Sequence, residues 1–187
     1  MKIRRFPVAM LLCGVLAGAD EAGKIMRPAD GAAMPSSTID IAATAPAGKL
    51  EMDGAAVKAE EPFPNVFHAI LKASPGKHKL ALVWQGGRKE ARFFVGPNPP
   101  AEFKPFHQHP PVADVPCTQC HELSKRGRFR FKEGACFGCH RTATFARIHT
   151  HEATVLAECG MCHNAHGSTV KADLLYPKET ACKLCHG

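Results

Sequence analysis

The chain has 187 residues, with 45% hydrophobic and 22% charged residues, a formal net charge of +7 and nine cysteines, eight of them after residue 116. That length holds one ordinary domain or two small ones and excludes a large multidomain enzyme. The excess of positive charge is modest and scattered, and no DNA- or RNA-recognition motif accompanies it, so nucleic acid is not the expected partner.

The first nineteen residues read as a signal peptide. Lys2, Arg4 and Arg5 form a basic start, Phe6 to Leu16 is a short apolar run, and Ala17-Gly18-Ala19 offers a small-residue cleavage pattern. Cleavage there removes three basic residues and no acidic one, which lowers the net charge from +7 to +4. The bulky Leu12 before Cys13 argues against lipid attachment at that cysteine. The apolar run is too short to span a bilayer and no other stretch approaches the roughly 20 residues required, so no transmembrane segment is expected. The mature chain is expected in a periplasmic or extracellular compartment.

From residue 20 to 96 the pattern is that of an all-β domain, with short alternating apolar runs separated by Gly, Pro and Asp. Ile39 and Ile41 mark one strand, Val66 to Leu71 a second, Leu80, Leu82 and Trp84 a third, and Phe93 and Val95 a fourth. Gln85-Gly86-Gly87 joins the last two as a hairpin. Pro28-Ala29-Asp30-Gly31, Pro75-Gly76-Lys77-His78 and Phe94-Val95-Gly96 resemble the edges of a small immunoglobulin-like sandwich. His68 and His78 fall within strands and read as packing or surface residues rather than metal ligands. The fold of this segment does not choose among spacer, docking surface and binding module.

Residues 97–105, with Pro97, Pro99, Pro100 and Pro105, read as a stiff linker, because each proline fixes φ and removes a backbone donor. Beyond it, residues 106–187 are organised by cysteine and histidine spacing. Four copies of Cys-x-x-Cys-His follow: Cys117, Cys120 and His121; Cys136, Cys139 and His140; Cys159, Cys162 and His163; Cys182, Cys185 and His186. This is the attachment pattern of c-type haem. Two thiols form thioethers with the vinyl groups on one edge of the porphyrin, and the adjacent histidine becomes the proximal ligand. Paired zinc knuckles share the cysteine spacing, but zinc has no use for a histidine after every pair, and neither do structural disulfides. Four covalent haem c groups are expected.

Adding 42 carries His107, His109, Cys117, Cys120 and His121 onto His149, His151, Cys159, Cys162 and His163, so the region is internally duplicated. Five histidines outside the motifs, His107, His109, His149, His151 and His166, supply four distal positions. Methionine ligation is disfavoured, since the one methionine here, Met161, lies inside an attachment loop. All four irons are expected to be held by two imidazoles. His107 and His109 point to opposite sides if the chain is extended, as do His149 and His151. His109 and His151 stand eight residues before a motif and are preferred, followed by His166, with His149 and His107 competing for the last place. A distal histidine lent to a neighbouring subunit would build a homo-oligomer or a filament.

The segment Cys159 to His186, CGMCHNAHGSTVKADLLYPKETACKLCH, resembles the doubled Cys-x-x-Cys-His unit of multihaem cytochromes c, including the His-Gly-Ser after the first motif and the Leu-Leu before the second. The resemblance implies distal roles for His151 and His166 and a tetrahaem electron carrier between redox protein partners. The first half departs from it, with Ser124 where a counterpart of His166 would stand and Lys125, Arg126, Arg128 and Arg130 nearby. These basic residues, interleaved with Phe129 and Phe131, are read as partners for haem propionates or an acidic redox protein rather than a nucleic-acid strip.

From residue 105 onward there are about 21 residues for each haem, too few for a conventional side-chain core. The expected fold is therefore a mainly β, immunoglobulin-like domain followed by a tetrahaem domain with short helices and little regular secondary structure. Electron carriage is the expected function, and a multihaem reductase with one open iron is the alternative.

Overall fold

A computed structural model of the chain describes residues 23–109, 115–141 and 159–187. The expectations for the signal segment 1–19, for Cys13 and for His149 and His151 lie outside those residues. Among the described residues no helix is long and apolar enough to cross a membrane.

The N-terminal part is a two-sheet β-sandwich. Its first sheet has the order β1-β3-β7-β6, made of β1 (Lys24–Arg27), β3 (Thr38–Thr44), β7 (Val66–Lys72) and β6 (Glu60–Phe63). The second contains β2 (Ala32–Met34), β4 (Lys49–Met52), β5 (Ala55–Val57), β8 (Gly76–Trp84), β9 (Gly87–Val95) and β10 (Lys104–Pro105), in the order β10-β2-β9-β8-β4-β5.

Alternation along the strands decides which side chains meet between the sheets. Ile39, Ile41 and Ala43 of β3 face Leu80 and Leu82 of β8 and Phe93 and Val95 of β9 in one buried cluster. Burying each of the larger side chains contributes about 1.5–3 kcal/mol, which makes this cluster the main source of cohesion in the sandwich. The β8–β9 hairpin turns through Gln85-Gly86, with Trp84 opposite Gly87. A Cβ at Gly86 would lie 2.8 Å from Trp84 Nε1, so the indole can fold over the turn only because that residue is glycine.

The four strands expected from the apolar runs are present as β3, β7, β8 and β9. The end of the segment read as a stiff linker lies on the sheet. Lys104 and Pro105 pair in parallel with Ala32 and Ala33, Phe103 is buried, and Phe106 belongs to the sandwich core. Burial of the Phe103 and Phe106 rings straps the end of this extended connector to the sheet.

The C-terminal part has a different organisation. Its regular elements are the hairpin β11 (His121–Leu123) and β12 (Phe129–Phe131), four 3-10 turns and the helix α1 (Lys178–His186). No large side chain in 115–141 or 159–187 is buried. Among the described residues, Leu123, Phe129, Phe131, Phe137, Met161, Leu175, Tyr176 and Leu184 are exposed, and Ile70 is the one exposed large hydrophobic of the sandwich.

Two points fix this part to the sandwich. His107 and Ser168 exchange backbone hydrogen bonds, with His107 N–H donating to the Ser168 carbonyl at 2.8 Å and Ser168 N–H to the His107 carbonyl at 2.9 Å. The ring of Phe63, at the end of β6, lies 5.0 Å from that of Phe129 in β12.

Candidate haem-binding site

Each attachment motif folds into one tight turn. Cys117–Gln119, Ala135–Gly138 and Cys159–Met161 are 3-10 turns. In them the second cysteine's N–H donates to the carbonyl of the first, at 3.2 Å in every case. His140 and His163 continue the turn by donating to the carbonyls of Cys136 and Cys159 at 2.9 Å. The fourth motif lies in α1, opened by Pro177, where Cys182 and Cys185 are three residues apart and share a helix face with His186.

None of the eight cysteines of the motifs is joined in a disulfide. Burial pushes the thiols of Cys117 and Cys120 up from their ordinary value. That of Cys136 is pushed up to about 11, by burial first and then by the neighbouring Cys159. The second and third motifs therefore meet at their first cysteines.

The histidines form pairs. His109 and His140 approach with Nε2 to Nε2 3.5 Å apart, ring centroids 5.8 Å apart and planes 15° from parallel. The excess of the centroid separation over the nitrogen separation is what two five-membered rings add when each aims its nitrogen along the line joining them. The rings therefore meet end-on. Two metal–imidazole bonds of about 2 Å each require nitrogens about 4 Å apart on such a line. His121 and His166 form a second pair, with centroids 6.0 Å apart and the same 15° angle between their planes. The described residues thus present pairs of imidazoles, not groups of three or more metal-ligating side chains.

Hydrogen bonds and ring contacts orient three of the candidate histidines. His163 donates from Nδ1 to the Ala172 carbonyl at 2.8 Å, which puts the lone pair on Nε2, the nitrogen a metal could bind. That carbonyl is delivered by a strained turn in which Ala172 and Asp173 both adopt positive φ, 61° and 53°. His109 donates from Nδ1 to the Ala165 carbonyl at 3.2 Å, with the same consequence. His121 is held by rings: Phe129 stacks on it at 4.6 Å and Phe131 meets it edge-on at 5.6 Å.

Burial is the first cause that moves the imidazoles of His121 and His166. It lowers His121 below its ordinary value, and the Arg130 backbone opposes it. It brings His166 down to about 4, helped by the charges of Arg27, His121 and Lys24, while Asp40 opposes them. Both shifts favour the neutral imidazole, the form that donates to a metal.

Of the remaining candidates, His107 is exposed and uses its backbone in the bridge to Ser168. His186 ends α1. His68 pairs with Asp40, and His78 with Asp53 and the Ser74 carbonyl. The basic run is the turn and second strand of the β11–β12 hairpin. Ser124 closes it, its N–H donating to the Arg128 carbonyl at 2.8 Å and its Oγ accepting from Arg128 N–H at 3.0 Å. Phe129 and Phe131 are the functional residues that sequence reasoning passed over as interleaving. Their spacing of two was the available signal, since it puts both on one strand face.

Residues 151–187 match the family model for the doubled CXXCH motif. This segment is a haem-binding unit of the c-type cytochrome kind. The match covers a fifth of the chain and includes the third and fourth attachment motifs. The search of curated proteins returns no match.

Among solved structures, the chain is similar to a fibronectin(III)-like module of CbhA from Clostridium thermocellum, at 19% identity over 40% of this chain and 96% of that one, with a TM-score of 0.32. It is also similar to an immunoglobulin domain in the titin M10–obscurin-like 1 complex, at 19% identity over 42% and 97%, with a TM-score of 0.26. A polysaccharide lyase matches at 13% identity over 36% of this chain, with a TM-score of 0.32, and the chain spans 11% of that protein. The mainly β class, with short helices toward the C-terminus, is carried by the strand order itself.

Proposed function

We propose that the chain is an exported tetrahaem c-type cytochrome that carries single electrons between redox protein partners through haems closed on both faces by histidine. The observation that carries this reading is the end-on meeting of His109 and His140, with Nε2 atoms 3.5 Å apart. When bound, haem c supplies a one-electron iron couple whose potential is set by its ligands and surroundings.

The chain's own residues supply the rest. Each Cys-x-x-Cys pair tethers one macrocycle, and His121, His140, His163 and His186 are the proximal ligands. His166 serves opposite His121 and His109 opposite His140. His149 and His151 are assigned to the other two centres, with His107 as the spare. The Ala172 and Ala165 carbonyls fix the tautomers of His163 and His109.

Exposed apolar side chains of the C-terminal part, such as Phe137, Leu175 and Leu184, are of the kind that a porphyrin face covers. An imidazole on each side of an iron leaves no face for a substrate, which favours carriage over catalysis.

The test is made on purified, exported protein. Peptide mass spectrometry is expected to show roughly 0.6 kDa added at each of the four motifs, and electron paramagnetic resonance a set of low-spin ferric signals without a stoichiometric high-spin component. Loss of residues 1–19 from the exported chain checks the targeting part. A high-spin signal equal to one haem per chain would replace this reading by an open, catalytic centre.

A further inference from the structure

In a two-sheet sandwich the outer face of each sheet meets solvent unless something covers it. On β3 the side chains of Ile39, Ile41 and Ala43 point into the core, so Asp40 and Ala42 point outward. The register places His68 of β7 beside Ala42, Arg27 of β1 on its other side, and Phe63 next to Val66. These outward residues are nonetheless buried, Arg27 to 8% exposure, Asp40 to 2%, Ala42 to 9% and Phe63 to 8%. The segment that carries the first attachment motif lies against this face. Phe129 lies against Phe63 and in turn on His121. His166 feels the charges of Arg27, Asp40 and Lys24, and Cys117 those of Arg27, Asp40 and Glu60.

The centre of this face is a buried ion pair. Arg27 Nη2 lies 2.7 Å from Asp40 Oδ2, Arg27 Nε donates to Oδ1 at 3.0 Å, and His68 Nε2 donates to the same Oδ1 at 3.1 Å. The sandwich core does not need it, since that core lies on the opposite side of the sheet. A buried pair is also weak evidence for stability by itself, because desolvation consumes most of its attraction.

We propose that the outer face of the β1-β3-β7-β6 sheet is a wall of the first haem centre, and that the Arg27–Asp40 pair sets the reduction potential of the haem held by His121 and His166. The immunoglobulin-like domain is then part of a redox centre and not a spacer. This inference rests on the tetrahaem reading above. A cation beside the iron disfavours the more positive ferric state and raises the potential, and an anion does the reverse.

The test is a spectroscopic redox titration of the full holoprotein. Arg27→Gln, which leaves Asp40 charged, is expected to lower one of the four midpoint potentials. Asp40→Asn, which leaves Arg27 charged, is expected to raise the same one, and the other three stay fixed. The moving haem is identified as the one that turns high-spin in His166→Ala. Where either buried variant fails to fold, the exposed residues of the same face carry the test, with Lys24→Glu lowering and Glu60→Gln raising that potential. Shifts of the same sign in the oppositely charged variants, or no shift with haem present on Cys117 and Cys120, would overturn the inference and leave the electron-carrier reading intact. Absence of haem mass on the Cys117–Cys120 peptide would overturn both.

Discussion

His166, three residues beyond the third attachment motif, lies opposite His121 of the first, with ring centroids 6.0 Å apart. The two duplicated halves are therefore interlocked, the second bringing an imidazole against that of the first. Substituting His166 by Ala is expected to convert the haem tethered at Cys117 and Cys120 to high-spin, and to leave the haem at Cys159 and Cys162, its neighbour in sequence, low-spin. Electron paramagnetic resonance with site-selective loss of the first motif separates the two outcomes. A high-spin haem at the third motif would refute the cross-half pairing.

His109 reaches forward across the first motif to His140 of the second. His109→Ala is expected to open the second haem alone, and the double variant with His166→Ala to show two high-spin haems per chain, because the two pairs share no residue. Carbon monoxide binding to the reduced protein counts the opened irons, with one equivalent expected for each single variant and two for the double.

The eight cysteines and four proximal histidines were readable because a covalent attachment demands a fixed local spacing, and local spacing is what a sequence displays. The strands β3, β7, β8 and β9 were readable for the same reason, since their period of two is local. The order of histidine pairs was not. His121 meets His166 across 45 positions of chain, and nothing in either neighbourhood encodes the other. The strapping of Lys104 and Pro105 to β2 was hidden by prolines that resemble a linker, when Phe103 and Phe106 decide the matter by burial. Arg27, Asp40 and His68 are scattered over three strands, so their convergence exists only once the register is known.

Gly167 is expected to be the most sensitive glycine of the junction. Its φ is +104°, and a Cβ there would run into the His107 carbonyl and come within 2.7 Å of the Phe106 ring. Gly167→Ala combines a backbone penalty of about 1–3 kcal/mol with loss of the His107–Ser168 bridge. A lower denaturant midpoint is expected, together with a growing high-spin fraction at the first haem, because His166 is the adjacent residue. The control Gly160→Ala, at a position with open space for a Cβ, is expected to leave both unchanged.

The His78–Asp53 pair gives the sandwich a pH dependence whose sign can be worked out. Burial acts to lower the His78 value, but the bond to Asp53 at 2.7 Å, the Ser74 carbonyl and the Asp53 charge together raise it above 6.5. Burial acts to raise Asp53, and the His78 bond, the Lys79 N–H and the charges of both residues outweigh it and hold the carboxyl below 3.8. The histidine's contribution is fully present below its unfolded value and is lost as the pH rises through its folded value. That of the aspartate is present above its unfolded value and is lost as the pH falls through its folded one. The pair therefore stabilises most between about pH 4 and 6.5 and less above. Asp53→Asn is the clean probe, because Asn tolerates the φ of 53° at this position and its side-chain oxygen still accepts from Lys79 N–H. Urea melts of the holoprotein followed by the β-sheet circular dichroism band are expected to show a wild-type advantage over Asp53→Asn at pH 5.5 that shrinks by pH 8.5. An advantage that grows toward pH 8.5 would show that His78 is neutral in the fold.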